Sequence, residues 1–116
     1  MSTTMKARAG TSLRARFKYL QPNGDFVDTT GSTARIYLRP TSGSGRIILA
    51  AEQSDVDGAT LQLLQPGEWR FFLSGMITKT LPPSVSFELE LTPDDNEDDV
   101  TTLDAGTILT SPQTGE

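Results

Sequence analysis

The sequence contains no cysteine and no histidine among its 116 residues. Without cysteine the chain can form no disulfide, no thiolate metal site and no cysteine nucleophile. Without histidine it lacks the side chain that most often serves as a general base near neutral pH and as a transition-metal ligand. Ser-His-Asp and Cys-His catalysis are therefore excluded, and paired carboxylates remain as the arrangement to be weighed for acid–base chemistry.

Long apolar stretches are absent as well. No run approaches the ~18 apolar residues of a membrane-spanning helix. The N-terminal segment MSTTMKARAGTSLRARF has basic residues but lacks the apolar stretch of a secretory signal. We therefore expect a soluble protein that is synthesised in a cytoplasm and does not bind a membrane. Its length suits one domain, because domains cluster at about 100 to 150 residues.

The charges are divided unevenly along the chain. Residues 1–46 carry eight basic side chains against two acidic ones, a net charge of +6, whereas residues 47–116 carry two against thirteen, a net charge of −11. Such a domain suits contacts with copies of itself or with oppositely charged partners, although surface charges can also fall this way without a function. Because the whole chain is acidic, with a net charge of −5, the sequence predicts no nucleic-acid partner.

Alternation of apolar and polar residues with a period of two dominates the chain and predicts strands. The segments with this character or with a short apolar run are LRARFKYL, STARIYLR, RIILAA, ATLQLLQ, EWRFFLS, SVSFELELT and VTTLDAGTILT. GMITKTLPP predicts one helical turn that Pro82 and Pro83 end. Gly106 is a candidate β-bulge. We assign Trp69, Phe71 and Phe87 to the core.

The spacing of the strands predicts the fold class. Seven to eight short strands separated by turn residues are typical of a β-sandwich or barrel. We expect an all-β protein with a single immunoglobulin-like antiparallel β-sandwich over residues 11–110. An N-terminal arm, residues 1–10, precedes it and a C-terminal tail, residues 111–116, follows it. The chain lacks the cysteine pair of true immunoglobulin domains.

The acidic loop PDDNEDD contains a candidate metal site. Asp94, Asn96 and Asp98 have the alternate spacing that opens an EF-hand calcium loop. The glycine expected next is replaced by Asp99, and the bidentate glutamate position is Ala105, so the match is incomplete. A solvated hairpin tip is the favoured interpretation and calcium binding the weaker one. The sequence predicts no cofactor.

Glu88 and Glu90 are a candidate carboxylate pair. They lie two residues apart on the outer face of one predicted strand, about 7 Å from each other. Glycosidase pairs need a cleft and one carboxyl with a raised pKa, and an open sheet face supplies neither. We therefore predict that the protein is not an enzyme.

A set of basic side chains is the main candidate site. It comprises Lys6, Arg8, Arg14, Arg16, Lys18, Arg35 and Arg39, with Tyr37 as an aromatic anchor. If LRARFKYL and STARIYLR lie in one sheet, their basic residues share its outer face, where they repel each other unless a partner pairs them. Arginine and aromatic residues are enriched at protein interfaces. The pattern favours a protein-docking surface; the alternative is an ordinary polar face whose arginines prevent edge pairing.

The segment GDFVDTTGSTARIYLR, residues 24–39, resembles the motif of immunoglobulin-like domains in bacteriophage virion proteins, particularly the N-terminal domain of baseplate upper proteins. The matching positions are Asp28, Thr30, Gly31, Ala34, Ile36 and Leu38. Thr29 stands where leucine is usual. LPPSVSFELELT resembles the Pro-Pro-Gly-aromatic strand of that family, with departures at Ser84 and Val85, and VTTLDAGTILTSP resembles its closing strand. The similarity covers residues 11–112.

This resemblance implies a structural component of a phage particle that works through protein–protein contacts. In such proteins the sandwich is an adaptor in the tail, baseplate or fibre attachment region, or it decorates the capsid or carries a head fibre. The implied partners are other virion proteins of the tail, baseplate, portal, fibre or capsid. The resemblance also implies many copies in a symmetric assembly, located in the virion.

Two further expectations concern the quoted segment and its aromatic residues. Phe26 and Val27 are expected to pin the turn to the core, and Gly31 to supply a backbone conformation that other residues resist. A carbohydrate- or host-surface-binding module is the second alternative function. It requires an exposed aromatic platform, for which Tyr37, Phe26 and Phe72 are the candidates.

Overall fold

The computed structural model describes residues 3–41, 47–53 and 59–111. In these ranges the strands are β1 (Thr3–Arg8), β2 (Leu13–Lys18), β3 (Ser32–Pro40), β4 (Leu49–Glu52), β5 (Ala59–Gln65), β6 (Glu68–Leu73), β7 (Ser84–Pro93) and β8 (Thr101–Ser111), and helix α1 (Gly75–Thr80) lies between β6 and β7. The strands form two sheets, one of five strands in the order β1-β8-β7-β3-β4 and one of three in the order β2-β6-β5.

The sheet topology confirms the predicted immunoglobulin-like sandwich. In immunoglobulin domains the C, F and G strands, which C′ can extend, face a sheet that contains B, E and D. Here β8, β7, β3 and β4 form the first set and β2, β6 and β5 the second. One pair departs from the antiparallel expectation, because β1 runs parallel to β8. β1 occupies most of the segment assigned as an N-terminal arm, and β8 continues one residue beyond position 110.

The core lies between the two sheets and consists of the inward-facing residues of both. Trp69, Phe71 and Phe87 are buried, as the sequence predicted. Phe17 of β2 and Phe87 of β7 contact each other between the sheets, with their ring centroids 5.9 Å apart. In antibody domains the corresponding strands, B and F, carry the inter-sheet disulfide. An aromatic contact therefore joins the sheets where those domains use a covalent bond.

A hydrogen bond from the only tryptophan also connects the two sheets. The indole nitrogen of Trp69 on β6 donates to Oε1 of Gln53, directly after β4, at 2.9 Å. The same oxygen accepts from the backbone N–H of Ala34 at 3.3 Å, and the backbone N–H of Gln53 donates to the Ala34 carbonyl at 2.8 Å. Because an unpaired buried donor is costly, Gln53 allows Trp69 to be fully buried.

The loop between β2 and β3 is attached to the β5–β6 turn through Gly67. The Tyr19 amide donates to the Gly67 carbonyl at 2.8 Å, and the Gly67 amide donates to Oγ1 of buried Thr29 at 2.9 Å. Gly67 has a φ of +89°, and a Cβ on it would lie 2.6 Å from the Val27 carbonyl. Phe26 and Val27 are half-buried beside this turn and are not part of the core cluster. This corrects their expected role of pinning the loop to the core.

Two glycines bear on the sequence predictions. Gly31 has a φ of +85°, which confirms that this position needs a conformation disfavoured for other residues. The bulge predicted at Gly106 is instead a register shift of the β7–β8 pair at Leu103. Gly106 has a different role: a Cβ on it would collide with the carbonyl oxygen of Thr3. Its lack of a side chain lets β1 lie directly against β8.

The predicted helical turn is present as α1, which ends ahead of Pro82 as expected. Ser74 caps its N-terminus, because the Ser74 hydroxyl accepts from the backbone N–H of Ile77 at 3.4 Å. Thr78 is fully buried; its hydroxyl donates to the Thr11 carbonyl at 2.7 Å and accepts from the Gly10 amide at 3.2 Å. These bonds fix α1 to the β1–β2 connection. Within the described ranges, no helix has the length and apolar character needed to span a membrane.

Candidate interaction surfaces

The predicted docking residues do not form one surface, because β2 and β3 lie in different sheets. The expectation that their basic side chains share a face is therefore wrong. Arg14, Arg16 and Lys18 lie on the outer face of the three-stranded sheet, whereas Lys6, Arg8, Arg35, Tyr37 and Arg39 lie on that of the five-stranded sheet. Alternation within a strand fixes which residues point outward, but it does not reveal the sheet to which the strand belongs.

On the five-stranded sheet, the two arginines of β3 have acidic partners. Arg35 Nε lies 3.1 Å from the Glu52 carboxylate, and Arg39 Nη1 lies 3.2 Å from the Glu88 carboxylate. The Arg39 guanidinium also lies 5.6 Å from the centroid of the Tyr37 ring. Because these pairs are exposed, each contributes about 0–1 kcal/mol to stability. The mutual repulsion expected among unpaired arginines does not arise here.

On the three-stranded sheet, β2 and β6 place basic residues side by side. The register is Arg14 opposite Phe72, Arg16 opposite Arg70 and Lys18 opposite Glu68. We call these six residues the basic face. Arg70 was not among the predicted docking residues, although the alternation in EWRFFL, with Trp69 and Phe71 turned inward, indicates that it points outward.

The side chains of the basic face are partly fixed by contacts with one another. The Arg14 guanidinium lies 5.1 Å from the centroid of the Phe72 ring, a cation–π distance. Arg16 Nε lies 3.6 Å from the Glu68 carboxylate. Glu68 is only 7% exposed and also accepts a hydrogen bond from Gln65 Nε2 at 2.8 Å. The one carboxylate on this face is therefore already engaged.

The basic face has an excess of positive charge, because it carries four cations and one carboxylate. Arg16 and Arg70 are directly opposite each other, and like charges in that position are destabilising. Among residues 3–41, 47–53 and 59–111, neither Lys18 nor Arg70 makes an ion pair. An open depression of about 360 Å³ is lined by Arg14, Ala15, Arg16 and Arg70. An acidic group bound there would relieve the repulsion.

Residues 94–99, between β7 and β8, carry five carboxylates and one asparagine, and we call them the acidic tip. The Thr33 hydroxyl donates to Asp94 Oδ1 at 2.6 Å, and the Asp98 amide donates to Asn96 Oδ1 at 3.3 Å. The three calcium candidates thus belong to a hydrogen-bonded turn. No group of three or more acidic side chains that could hold a metal ion occurs in the described part of the chain.

The aromatic residues considered for glycan binding are not brought together. Tyr37 lies on the outer face of the five-stranded sheet and Phe72 on that of the three-stranded sheet, while Phe26 lies in the β2–β3 loop. Each is half-buried, and the first two lie beside arginines. They do not form one platform.

Comparison with known proteins adds a distant structural likeness. No family model matches the sequence, and no curated protein matches it. A similar solved structure is the ZIG-8–RIG-5 IG1–IG1 heterodimer in its monoclinic crystal form, at 12% sequence identity and a TM-score of 0.48, over 95% of this chain and 82% of that chain. The assignment of this chain as an immunoglobulin-like β-sandwich rests on its sheet topology.

Proposed function

We propose that this protein is a non-enzymatic structural component of a bacteriophage particle, an adaptor in the tail, baseplate or fibre attachment region that acts through protein–protein contacts. The observation that carries the proposal is the basic face, where Arg70 and Lys18 make no ion pair in the described residues. The resemblance of residues 24–39 to phage virion domains supports the particle as the setting. A decorated capsid is the alternative setting for the same kind of contact.

The distribution of carboxylates supports a non-enzymatic role. Glu88 is paired with Arg39 on the outer face of the five-stranded sheet, and Glu90 lies on the same face. Both therefore lie on the outer face of a sheet, and the sequence contains no histidine or cysteine to act with them. A charged face that binds another protein needs no such groups. Its composition, arginine beside an aromatic residue, is typical of interface centres.

Particles of a phage that encodes this chain provide the test. Mass spectrometry of purified particles should detect the protein in stoichiometric amounts, and its arrangement by electron microscopy should show either the rotational symmetry of a tail or the icosahedral symmetry of a capsid. Absence of the protein from purified particles would refute the proposed function.

A variant tests the surface that the proposal invokes. Arg14→Glu with Arg16→Glu should reduce incorporation into particles, because each change turns an attraction for an acidic partner into a repulsion. Lys79→Glu, which reverses an exposed cation in the last turn of α1, is a control away from the basic face and should be incorporated normally. Incorporation of the Arg14/Arg16 variant at the control level would exclude the basic face as the attachment surface.

A further inference from the structure

We infer that the basic face binds the acidic tip of a second copy of this chain, so that copies associate head to tail. The inference deepens the proposed function by naming a partner, and it rests on that function only in assuming that the protein works through contacts between subunits. Its basis is the presence, on one chain, of two exposed and oppositely charged surfaces.

The two surfaces have complementary charge. The basic face has a net charge of +3 and the acidic tip a net charge of −5. In the described ranges, no carboxylate of the acidic tip makes an ion pair. Potentials of opposite sign steer association and fix its register, and a second copy supplies the acidic partner wherever the protein itself is present.

Besides its charge, the basic face has residues of the types found at the centres of protein interfaces. Arg70 is exposed and has no ion pair in the described chain, and it lies between Arg16 and Gln62 in the sheet. Next to it, Phe72 lies half-buried against Arg14. Arginine and aromatic residues dominate the energy of protein interfaces, and a carboxylate placed between Arg16 and Arg70 would remove their repulsion.

In the described ranges the acidic tip of a chain makes no ion pair with the basic face of the same chain. The acidic tip is part of the β7–β8 hairpin of the five-stranded sheet, and its base is held there by two bonds: Thr33 to Asp94, and the Asp94 amide to the Gly31 carbonyl at 2.9 Å. The basic face lies on the outer surface of the other sheet. The contact therefore joins different copies through two different surfaces, an arrangement that builds rings or filaments.

The test measures self-association of the full chain by sedimentation velocity. The wild type should associate with increasing concentration at an ionic strength of about 0.01 M and dissociate at about 1 M, because the screening length falls from about 30 Å to about 3 Å. The face variant, Arg14→Glu with Arg70→Glu, and the tip variant, Asp95→Lys with Asp98→Lys, should each associate at least about tenfold more weakly.

An equimolar mixture of the two variants is the decisive sample. The unchanged acidic tip of the face variant meets the unchanged basic face of the tip variant, so the mixture should regain association that neither variant shows alone. Lys6→Glu with Lys79→Glu makes the same change in net charge as the face variant, away from both surfaces, and should associate as the wild type does.

Three results would overturn the inference: a wild type that stays monomeric at low ionic strength, reversed variants that associate as the control does, or a mixture of folded variants that stays monomeric. Circular dichroism checks the fold of each variant. If the reversed variants do not fold, the milder Arg70→Gln and Asp98→Asn, each expected to weaken association several-fold, replace them.

The outcomes for the two proposals are separable. Charge-dependent association of a protein that is missing from purified particles refutes only the proposed function. Presence in particles without self-association refutes only the head-to-tail contact and leaves a different acidic virion protein as the partner of the basic face.

Discussion

Phe17 of β2 and Phe87 of β7 meet between the two sheets, with ring centroids 5.9 Å apart and ring planes inclined by 46°. The ring centroid of Phe17 also lies 6.4 Å from that of Phe71 on the neighbouring strand β6. In antibody domains the strands in these positions are joined by a disulfide. Here, where cysteine is absent, the two sheets depend on aromatic packing at the same place.

This contact predicts a large loss of stability on truncation. Phe17→Ala and Phe87→Ala should each lower the free energy of unfolding by about 3–5 kcal/mol, the usual loss for a buried phenylalanine. The double variant should lose about 0.5–1.5 kcal/mol less than the sum, because the ring–ring interaction is then counted once. Urea unfolding measures both. Phe72→Ala, on the outer face, is the control and should cost less; strict additivity in the double variant would contradict a direct contact.

The hydrogen bond between Trp69 and Gln53 predicts that replacing the side-chain amide of Gln53 lowers the free energy of unfolding. Gln53→Met keeps the length of the side chain and leaves the indole N–H without its acceptor, so the free energy of unfolding should fall by about 1–3 kcal/mol. Tryptophan fluorescence follows the transition. Gln62→Met is the matched control, since Gln62 is exposed on β5 and its change should stay within about 0.5 kcal/mol. Equal stability of the two variants would show that Gln53 is dispensable.

The close approach of β1 to β8 predicts a local effect at Gly106. In Gly106→Ala the new methyl group collides with the Thr3 carbonyl, so β1 should separate from β8. Hydrogen exchange should then become fast over Thr3–Arg8, while the amides of β3 and β7 remain protected. Thr107→Ala, one residue along the same strand, should leave β1 protected. Retained protection of β1 in Gly106→Ala would rule out the role assigned to this glycine.

The hydrogen bonds of Asp28 predict that the stability of the fold depends on pH. The Thr30 hydroxyl donates to Asp28 Oδ1 at 2.6 Å and the Thr30 amide donates to it at 3.0 Å, and these bonds hold the pKa of Asp28 below its ordinary value of 3.8. A lowered folded-state pKa adds stability that is present above the ordinary pKa and is lost as the pH falls through the folded-state value.

A carboxyl carbon NMR titration checks this effect. Thr30→Val removes the hydroxyl and should raise the pKa of Asp28 toward its ordinary value, whereas Thr101→Val on β8 should leave it unchanged. An Asp28 pKa that is the same in wild type and Thr30→Val would mean that the hydroxyl bond does not form in solution.

Much of the fold could be predicted from the sequence, because most elements depend on residue types at neighbouring positions. Alternation in SVSFELELT and STARIYLR matched β7 and β3, since a strand with one buried face needs apolar residues at every second position. The Pro-Pro pair ended α1 where expected, and Gly31 has the positive φ that was predicted for it. The β1 strand was not predicted, because the alternation in MSTTMKAR is weak. This strand forms by pairing with β8.

The candidate site was predictable only in part. That Arg14, Arg16 and Lys18 point outward followed from the alternation, and the same reasoning on EWRFFL would have added Arg70. Their separation from Arg35 and Arg39 did not follow, because a strand carries no local mark of the sheet it joins. Nor did the ion pairs of the two β3 arginines, which depend on cross-strand register.

By itself the sequence determined the all-β class, the inward and outward faces of most strands, the absence of cysteine and histidine chemistry, and the opposite charges of the two parts of the chain. Those properties depend on residue type and on neighbours a few positions away. The tertiary structure alone decided that β2 and β3 belong to different sheets, that Arg16 faces Arg70, and that Phe17 meets Phe87. These are pairings between residues distant in sequence, and they are set by how the two sheets together bury their apolar faces.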